Sequence, residues 1–297
     1  MKLPLPVQPP FSFAKAVAFL RRFPPCQGEY LLANDAITAA VAIDGRAVAF
    51  TIRADLTVDS THAAAVARAA HFLGTEDDVA GFYRAAKGDA ALAPVIDALY
   101  GLHHVRFLTL GEIAVYAVMM QRSSIVRAAQ VKRRFLERFG IAHRETGLRA
   151  WPELPALAAL EPEAIGDAIG HAAKGEQIAR AVRGVAALGE PFLRDAPYAE
   201  AREQLLAIPG IGPFSAGAIL LRGLGRMDEL PWHDNFAHAG RAIYGDRFDP
   251  AALVQRYGRH IGYWAFYAMA RDSGIPSASD RWRRPAIAAG RTASRSS

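Results

Sequence analysis

The chain has 297 residues, with 35 Lys plus Arg against 29 Asp plus Glu, a formal net charge of +6 and a pI near 9.6. Apolar residues make up 52% and charged residues 22%, which supplies a sizeable core and excludes wholesale disorder. A single cysteine, Cys26, excludes a disulfide framework, a cysteine-based zinc site and a four-cysteine iron–sulfur cluster. The long charge-free stretch from Leu205 to Leu221 is broken by Pro209, Gly210, Gly212, Pro213 and Gly217, whereas a membrane-spanning helix needs about 20 continuous apolar residues. The opening MKLPLPVQPPF has no apolar signal region. These features predict a cytoplasmic protein with no membrane partner. The mild basic excess favours a polyanionic partner, but a solvated surface accounts for it equally.

In chain order, Phe11 to Phe23 predicts a short helix, with Phe13, Ala16, Val17 and Leu20 at helical spacing, stopped by Pro24 and Pro25. Two β-rich runs, Ile37 to Ile43 and Ala47 to Ile52, flank Asp44-Gly45. A DG pair between such runs predicts a hairpin. His62 to Leu73 reads helical, so residues 1–98 read as a small α+β domain. From residue 99 to 285 the chain reads almost wholly helical, with segments Leu110 to Met120, Ile125 to Phe139, Ile165 to Ala173, Gln177 to Leu188 and Tyr198 to Ile208. Pro152, Pro155, Pro162, Pro191 and Pro197 fall between them, at helix starts or stops. Residues 286–297, in a stretch rich in Ser, Gly and Arg, are expected to be a disordered tail.

The informative stretch is 204–235, QLLAIPGIGPFSAGAILLRGLGRMDELPWHDN. A helix runs into Pro209-Gly210-Ile211-Gly212 and a second leaves at Pro213, a residue suited to the first helical position. Gly210 and Gly212 bare backbone N–H groups where a helix dipole favours an anion, so the turn can hold a phosphate without a basic side chain. Ser215 adds a hydroxyl, and Ala216 and Gly217 let the helices cross closely. Beyond a Gly/Pro-rich loop, Asp234 stands where it would N-cap a helix beginning near Asn235 and running to Tyr244. The bland alternative is an ordinary helical hairpin followed by an ordinary cap.

The order of hairpin, Gly/Pro-rich loop and Asp resembles the signature of the helix-hairpin-helix DNA glycosylases. Gln8-Pro-Pro-Phe11, Phe13, Phe19-Leu20, Trp151-Pro, Leu157-Ala-Ala-Leu-Glu-Pro-Glu163 and Lys174 resemble the bacterial 3-methyladenine DNA glycosylase II family, in the same order. The resemblance implies a small α+β domain followed by a helical glycosylase core, and a monomer acting on damaged duplex DNA, associated with the nucleoid if bacterial. It implies excision of damaged bases, alkylated purines first, with Asp234 as the catalytic carboxylate. Oxidised or deaminated bases are the alternative, as is a non-catalytic DNA-binding protein.

By the same resemblance, Gly210, Ile211, Gly212 and Ser215 contact DNA, and the Gln121-Arg122 turn inserts a wedge into the emptied base stack. Arg122 is the wedge candidate; the alternative is an exposed turn capped by Ser123 or Ser124. The base pocket draws on Phe19 and Phe214, with Ala218 and Asn235 where the best-known members carry tyrosines, and Tyr116 and Trp232 as replacement rings. A cationic base is attracted to electron-rich rings. The backbone carbonyls of Leu206, Ile208 and Ile211 match those that hold a monovalent Na+ or K+ in the family, the one metal expected. Phe214 stands where strand-cutting relatives carry a lysine. An aromatic ring forms no imine, so a monofunctional enzyme is expected. His103-His104 and His233/His238 lack a helical metal-binding spacing. Arg127, Lys132, Arg133, Arg134 and Arg138 read as a solvated helix face, and Arg281, Arg283, Arg284, Arg291 and Arg295 as phosphate contacts in the tail.

Overall fold

The structure, a computed structural model, describes residues 1–271. The expected tail 286–297 and the arginines from Arg281 onward lie outside the described residues. Five strands form an antiparallel sheet: β1 (Lys2–Pro4), β2 (Leu31–Leu32), β3 (Ala36–Ile43), β4 (Arg46–Arg53) and β5 (Thr57–Ser60), in the order β1-β5-β4-β3-β2. The β3–β4 hairpin turns at Asp44 and Gly45, both at positive φ (51° and 71°), with Ile43 opposite Arg46. Two left-handed residues in a two-residue turn match the twist of the flanking strands, which is why the DG pair fixes this register.

Helix α1 (Phe13–Arg22) buries Phe13, Ala16, Val17, Phe19 and Leu20, as its spacing predicts, and Ser12 caps it. Helix α2 (Ala64–Leu73) packs against β4 and β5. Two helices follow that the periodicity did not predict, α3 (Val79–Ala85) and α4 (Ala93–Leu99). Both are short, and both pack on the last helices of the described residues, where the Phe82 ring meets those of Tyr257, Tyr263 and Tyr267.

The helical part begins with α5 (Leu110–Met119), in which every residue is buried. Thr109 caps it, accepting the Glu112 N–H. The Glu112 carboxylate turns back to accept the Leu108 N–H at 3.0 Å, a variant of the capping box. Helix α6 (Ile125–Phe139) starts at Ser124, whose hydroxyl accepts the Arg127 N–H. A short antiparallel pair, β6 (Ile141–Ala142) and β7 (Arg149–Ala150), was not foreseen; Leu148 and Ala150 cover Ala40 and Ala42 of the large sheet. Helices α7 (Leu154–Ala158), α8 (Pro162–Ile169), α9 (Ala172–Leu188), α10 (Glu190–Asp195), α11 (Tyr198–Leu206) and α12 (Pro213–Ala218) follow. The expected Ile165–Ala173 segment ends instead at Gly170, a left-handed cap (φ 71°), and Ala173 already belongs to α9. Helix α12 continues into a π-helical turn, Ile219–Gly223. The described residues end with α13 (Asp234–Tyr244), α14 (Pro250–Tyr257) and α15 (Ile261–Ala270). No helix among the described residues is long and apolar enough to cross a membrane.

Lys132 corrects the reading of α6 as a basic solvated face. Arg127, Arg133, Arg134 and Arg138 are exposed, but Lys132 is fully buried. Its ammonium donates to Glu112 (2.6 Å), Glu29 (2.5 Å) and the Pro25 carbonyl (2.9 Å), and the Trp151 indole N–H completes Glu29 at 3.1 Å. The rings of Phe107, Tyr116 and Trp151 lie 5.3–5.9 Å from the ammonium. The cluster ties α5 and α6 to the stretch that follows α1.

Candidate active site

The hairpin forms as its residues dictate. Ile211 N–H donates to the Ile208 carbonyl at 3.0 Å, closing a turn with Pro209 and Gly210 in the middle. Gly210 has φ +97°, the conformation a Pro-Gly turn needs at its third residue. Ile208 and Ile211 are buried, anchoring the turn from below. The first bond of α12 runs from Ala216 N–H to the Gly212 carbonyl, so the amides of Gly212, Phe214 and Ser215 precede the intrahelical ladder. Around Gly212 an added Cβ would meet no atom within 4 Å, so the turn is open at that point.

Ser215 is placed differently from the expectation. It is 1% exposed, and its hydroxyl donates to the Ala117 carbonyl (3.2 Å) while accepting from the Gln121 amide (2.9 Å). Its side chain therefore fastens α12 to α5 and does not reach outward. Gln121 also donates to the Gly210 carbonyl at 2.8 Å, which locks the α5–α6 turn to the hairpin. Lys174 donates to the Val118 and Gln121 carbonyls, both at 3.1 Å, closing the same turn from α9. Beside it Arg122 is exposed with φ +55°, a backbone state that costs a non-glycine residue free energy and is concentrated at functional positions. Gly217 does not serve the α11–α12 crossing; an added Cβ there would meet Pro231.

Next to the hairpin lies a cavity of about 340 Å³, within the size range of small-ligand sites. Helix α1 contributes Phe19, and its C-cap residue Phe23 joins it; α5 contributes Ile113, Tyr116 and Ala117; α12 and the π turn contribute Phe214, Ala218, Leu221 and Arg222. His233 and Phe236 close one side and Phe266 of α15 the other. Phe19, Phe214, Tyr116 and Ala218 thus meet where the sequence placed a pocket. Trp232 and Asn235 do not. Trp232 packs on Trp264 and Phe248, and Asn235 is exposed on the first turn of α13. Tyr263 and Trp264 are core residues.

Asp234 is the first residue of α13, not its cap. The cap is His233, whose Nδ1 accepts the Asn235 N–H at 3.3 Å. Burial lowers the His233 pKa below the ordinary histidine value, partly opposed by Asp234. The His233 ring stacks near Phe236, 4.0 Å between centroids, and faces Phe214 at 6.0 Å. Both neighbours of this ring line the cavity, as His233 itself does; Asp234, exposed on the first turn of α13, is the next residue in the chain and is not itself part of the lining.

Sequence reasoning missed Arg222 and His104 as cavity residues. The π turn carries Arg222 over the rings of Phe19 (5.7 Å), Phe23 (4.9 Å) and Phe266 (5.7 Å). Its Nη1 bonds His104 Nε2 at 2.9 Å. Burial lowers the guanidinium to about 10 and holds His104 neutral. An arginine in a helix at small-residue spacing gives no sign of a π turn, so its direction was not readable. Among the described residues no cluster of His, Cys, Asp or Glu suits a metal.

No family model matches the chain. It is 29% identical over 163 residues to the DNA-3-methyladenine glycosylase of Bacillus subtilis, covering 54% of each chain. Over 177 residues it is 30% identical to the probable bifunctional transcriptional activator/DNA repair enzyme AlkA of Mycobacterium tuberculosis, covering 57% of this chain and 34% of the other. The chain thus spans about half, or less, of the length of these relatives. Among solved structures, the 3-methyladenine DNA glycosylase from Archaeoglobus fulgidus superposes with a TM-score of 0.73 at 21% identity, over 92% of this chain and 98% of that one. The Clostridium acetobutylicum 8-oxoguanine glycosylase/lyase, in complex with double-stranded DNA, gives 0.65 at 14% identity over 83% and 89%. In fold the chain is similar to these two solved glycosylases, and in sequence to the named DNA-3-methyladenine glycosylase and AlkA.

Proposed function

We propose that the chain is a monofunctional DNA glycosylase that excises a damaged base, in the first place an alkylated purine, from duplex DNA. The observation that carries this reading is the adjacency of three parts: a hairpin whose first α12 amides lie outside the helical ladder, a ring-lined cavity of base size, and a carboxylate next in the chain to His233 of the cavity lining. A base stacked in a duplex reaches such a cavity only by extrusion of its nucleotide. The amides of Gly212, Phe214 and Ser215 and the Gly210–Ile211 turn hold a backbone phosphate, and Arg122 enters the gap left in the stack. With DNA as substrate the protein works in the cytoplasm on the nucleoid, as a monomer.

Cleavage of the N-glycosidic bond develops positive charge on the sugar. A carboxylate at about 4 Å, with an effective dielectric near 20, stabilises that charge by ~4 kcal/mol, roughly a thousandfold in rate. Asp234 supplies it, acting more strongly on the transition state than on the neutral nucleotide; water then attacks the anomeric carbon. The carbonyls of Leu206, Ile208 and Ile211 suit a hard monovalent cation, being neutral oxygen donors. Such a cation adds positive charge toward the phosphate when bound.

A panel of duplexes, each with one modified base, tests the reading. Intact abasic sites from an alkylated-purine duplex are the expected product, with no protein–DNA adduct trapped by borohydride. Binding without product on every duplex contradicts it and leaves the non-catalytic reading.

A further inference from the structure

Arg222 is a cation in a mostly apolar cavity whose other polar lining residues are Arg22, His104, His233 and Tyr116. Among the described residues it forms no ion pair, and its Nη2 is buried with no hydrogen-bond partner. The Tyr116 hydroxyl, on the same cavity wall, is also buried without a partner. The rings of Phe19, Phe23 and Phe266 lie beside the guanidinium and offset part of its charge, but a ring face does not satisfy an N–H at the guanidinium edge. His104 takes up Nη1 and so fixes which way the fork points. A buried donor left unpaired costs free energy unless a bound acceptor completes it. Sites that discriminate strongly are built on such groups, because a ligand lacking the acceptor leaves them unpaired.

We propose that Arg222 is the specificity-determining residue of the cavity: Nη2 donates to a carbonyl or ring-nitrogen acceptor of an extruded uncharged purine, with the Tyr116 hydroxyl as second partner, and the fixed charge disfavours bases that are themselves positive. The inference rests on the glycosylase reading and re-ranks its lesions, placing uncharged purines, alkylated or deaminated, above the cationic alkylated ones. A ring-lined pocket alone would favour cationic bases; the guanidinium among these rings reverses that preference.

Single-turnover base release from duplexes carrying hypoxanthine (neutral, with a carbonyl) or 7-methylguanine (cationic) tests the proposal, using wild type, Arg222→Met and Arg222→Lys. The compared quantity is the hypoxanthine to 7-methylguanine rate ratio of each variant divided by that of wild type, in which the intrinsic lability of the two lesions cancels. The expected value is at least tenfold lower for Arg222→Met. Arg222→Lys falls between, because it keeps the charge and loses the planar fork. A ratio within twofold of wild type in both variants overturns the proposal. So does an Arg222→Met protein that melts with wild type yet releases neither base, since 7-methylguanine release must survive loss of the charge. If Arg222→Met melts earlier, Arg222→Lys carries the comparison. A wild type that releases neither these bases nor any alkylated purine contradicts the glycosylase reading itself, whereas release with an unmoved ratio contradicts only the role of Arg222.

Discussion

Lys132 shows how much a single side chain can depend on residues far along the chain. It occupies the apolar stripe of α6 with Ala128, Phe135 and Leu136, and that position, inward on the 3.6-residue period, was the available signal. Its carboxylate partners were not visible, because Glu29 lies 103 positions away. Burial pushes the Glu112 carboxyl up to about 7 even beside the ammonium. Lys132→Met leaves two carboxylates facing each other in the interior, and breaking a buried pair in this way costs about 3–5 kcal/mol. Urea denaturation checks it: the midpoint falls sharply in Lys132→Met and recovers in part in Lys132→Met/Glu112→Gln. A single variant as stable as wild type contradicts the charge pairing. Phe19 and Phe214 were legible only through the family resemblance and Tyr116 only as one of several replacement rings; all three line the cavity. Arg222 was not legible, since its direction is set by a local π turn.

At the scale of elements, legibility followed length and punctuation. Helices α1, α5, α6 and α11 have strong periodicity, capping residues or prolines at their ends. The hairpin was read from Pro209, Gly210, Gly212 and Pro213, because each has one dominant backbone role. The seven-residue helices α3 and α4 and the two-residue strands β6 and β7 are too short for a period, and tertiary packing decides them. The hairpin yields a prediction that separates folding from binding. Gly212 caps α12 at φ −95°, with open space where a Cβ would go. Gly212→Ala costs at most about 1 kcal/mol, the difference between Gly and Ala at an N-cap. The new methyl group stands in the path of a phosphate approaching the amides. The expected outcome is a nearly unchanged melting temperature with at least fivefold weaker duplex binding in a fluorescence-anisotropy titration; unchanged binding contradicts the phosphate clamp.

Across the whole molecule, the sheet, α1 and the helical part share one core, so the site is assembled from segments as distant as Phe19 and Phe266. The same packing buries two neutral imidazoles. His71 is pushed down to about 2 by burial and by Arg106, Arg194 and Arg68, and His104 is lowered by burial and Arg222. Each takes up a proton on unfolding once the pH is below about 6.5, so each removes stability on acidification, about 1.4 kcal/mol per pH unit. Glu112 acts in the opposite sense between 4.5 and about 7, where its raised pKa favours the folded state as pH falls. Two histidines outweigh one carboxyl, and the melting temperature is expected to fall from pH 6.5 to pH 4.5; a flat or rising profile contradicts neutral burial of the pair. The proposed function depends on one further relation across the molecule, that Asp234, next in the chain to the cavity-lining His233, acts on a nucleotide whose base occupies that cavity. Single-turnover release of an alkylated purine by wild type and Asp234→Asn measures it most directly. The account predicts release roughly a thousandfold slower in the variant with duplex affinity unchanged; equal rates for the two proteins would contradict it.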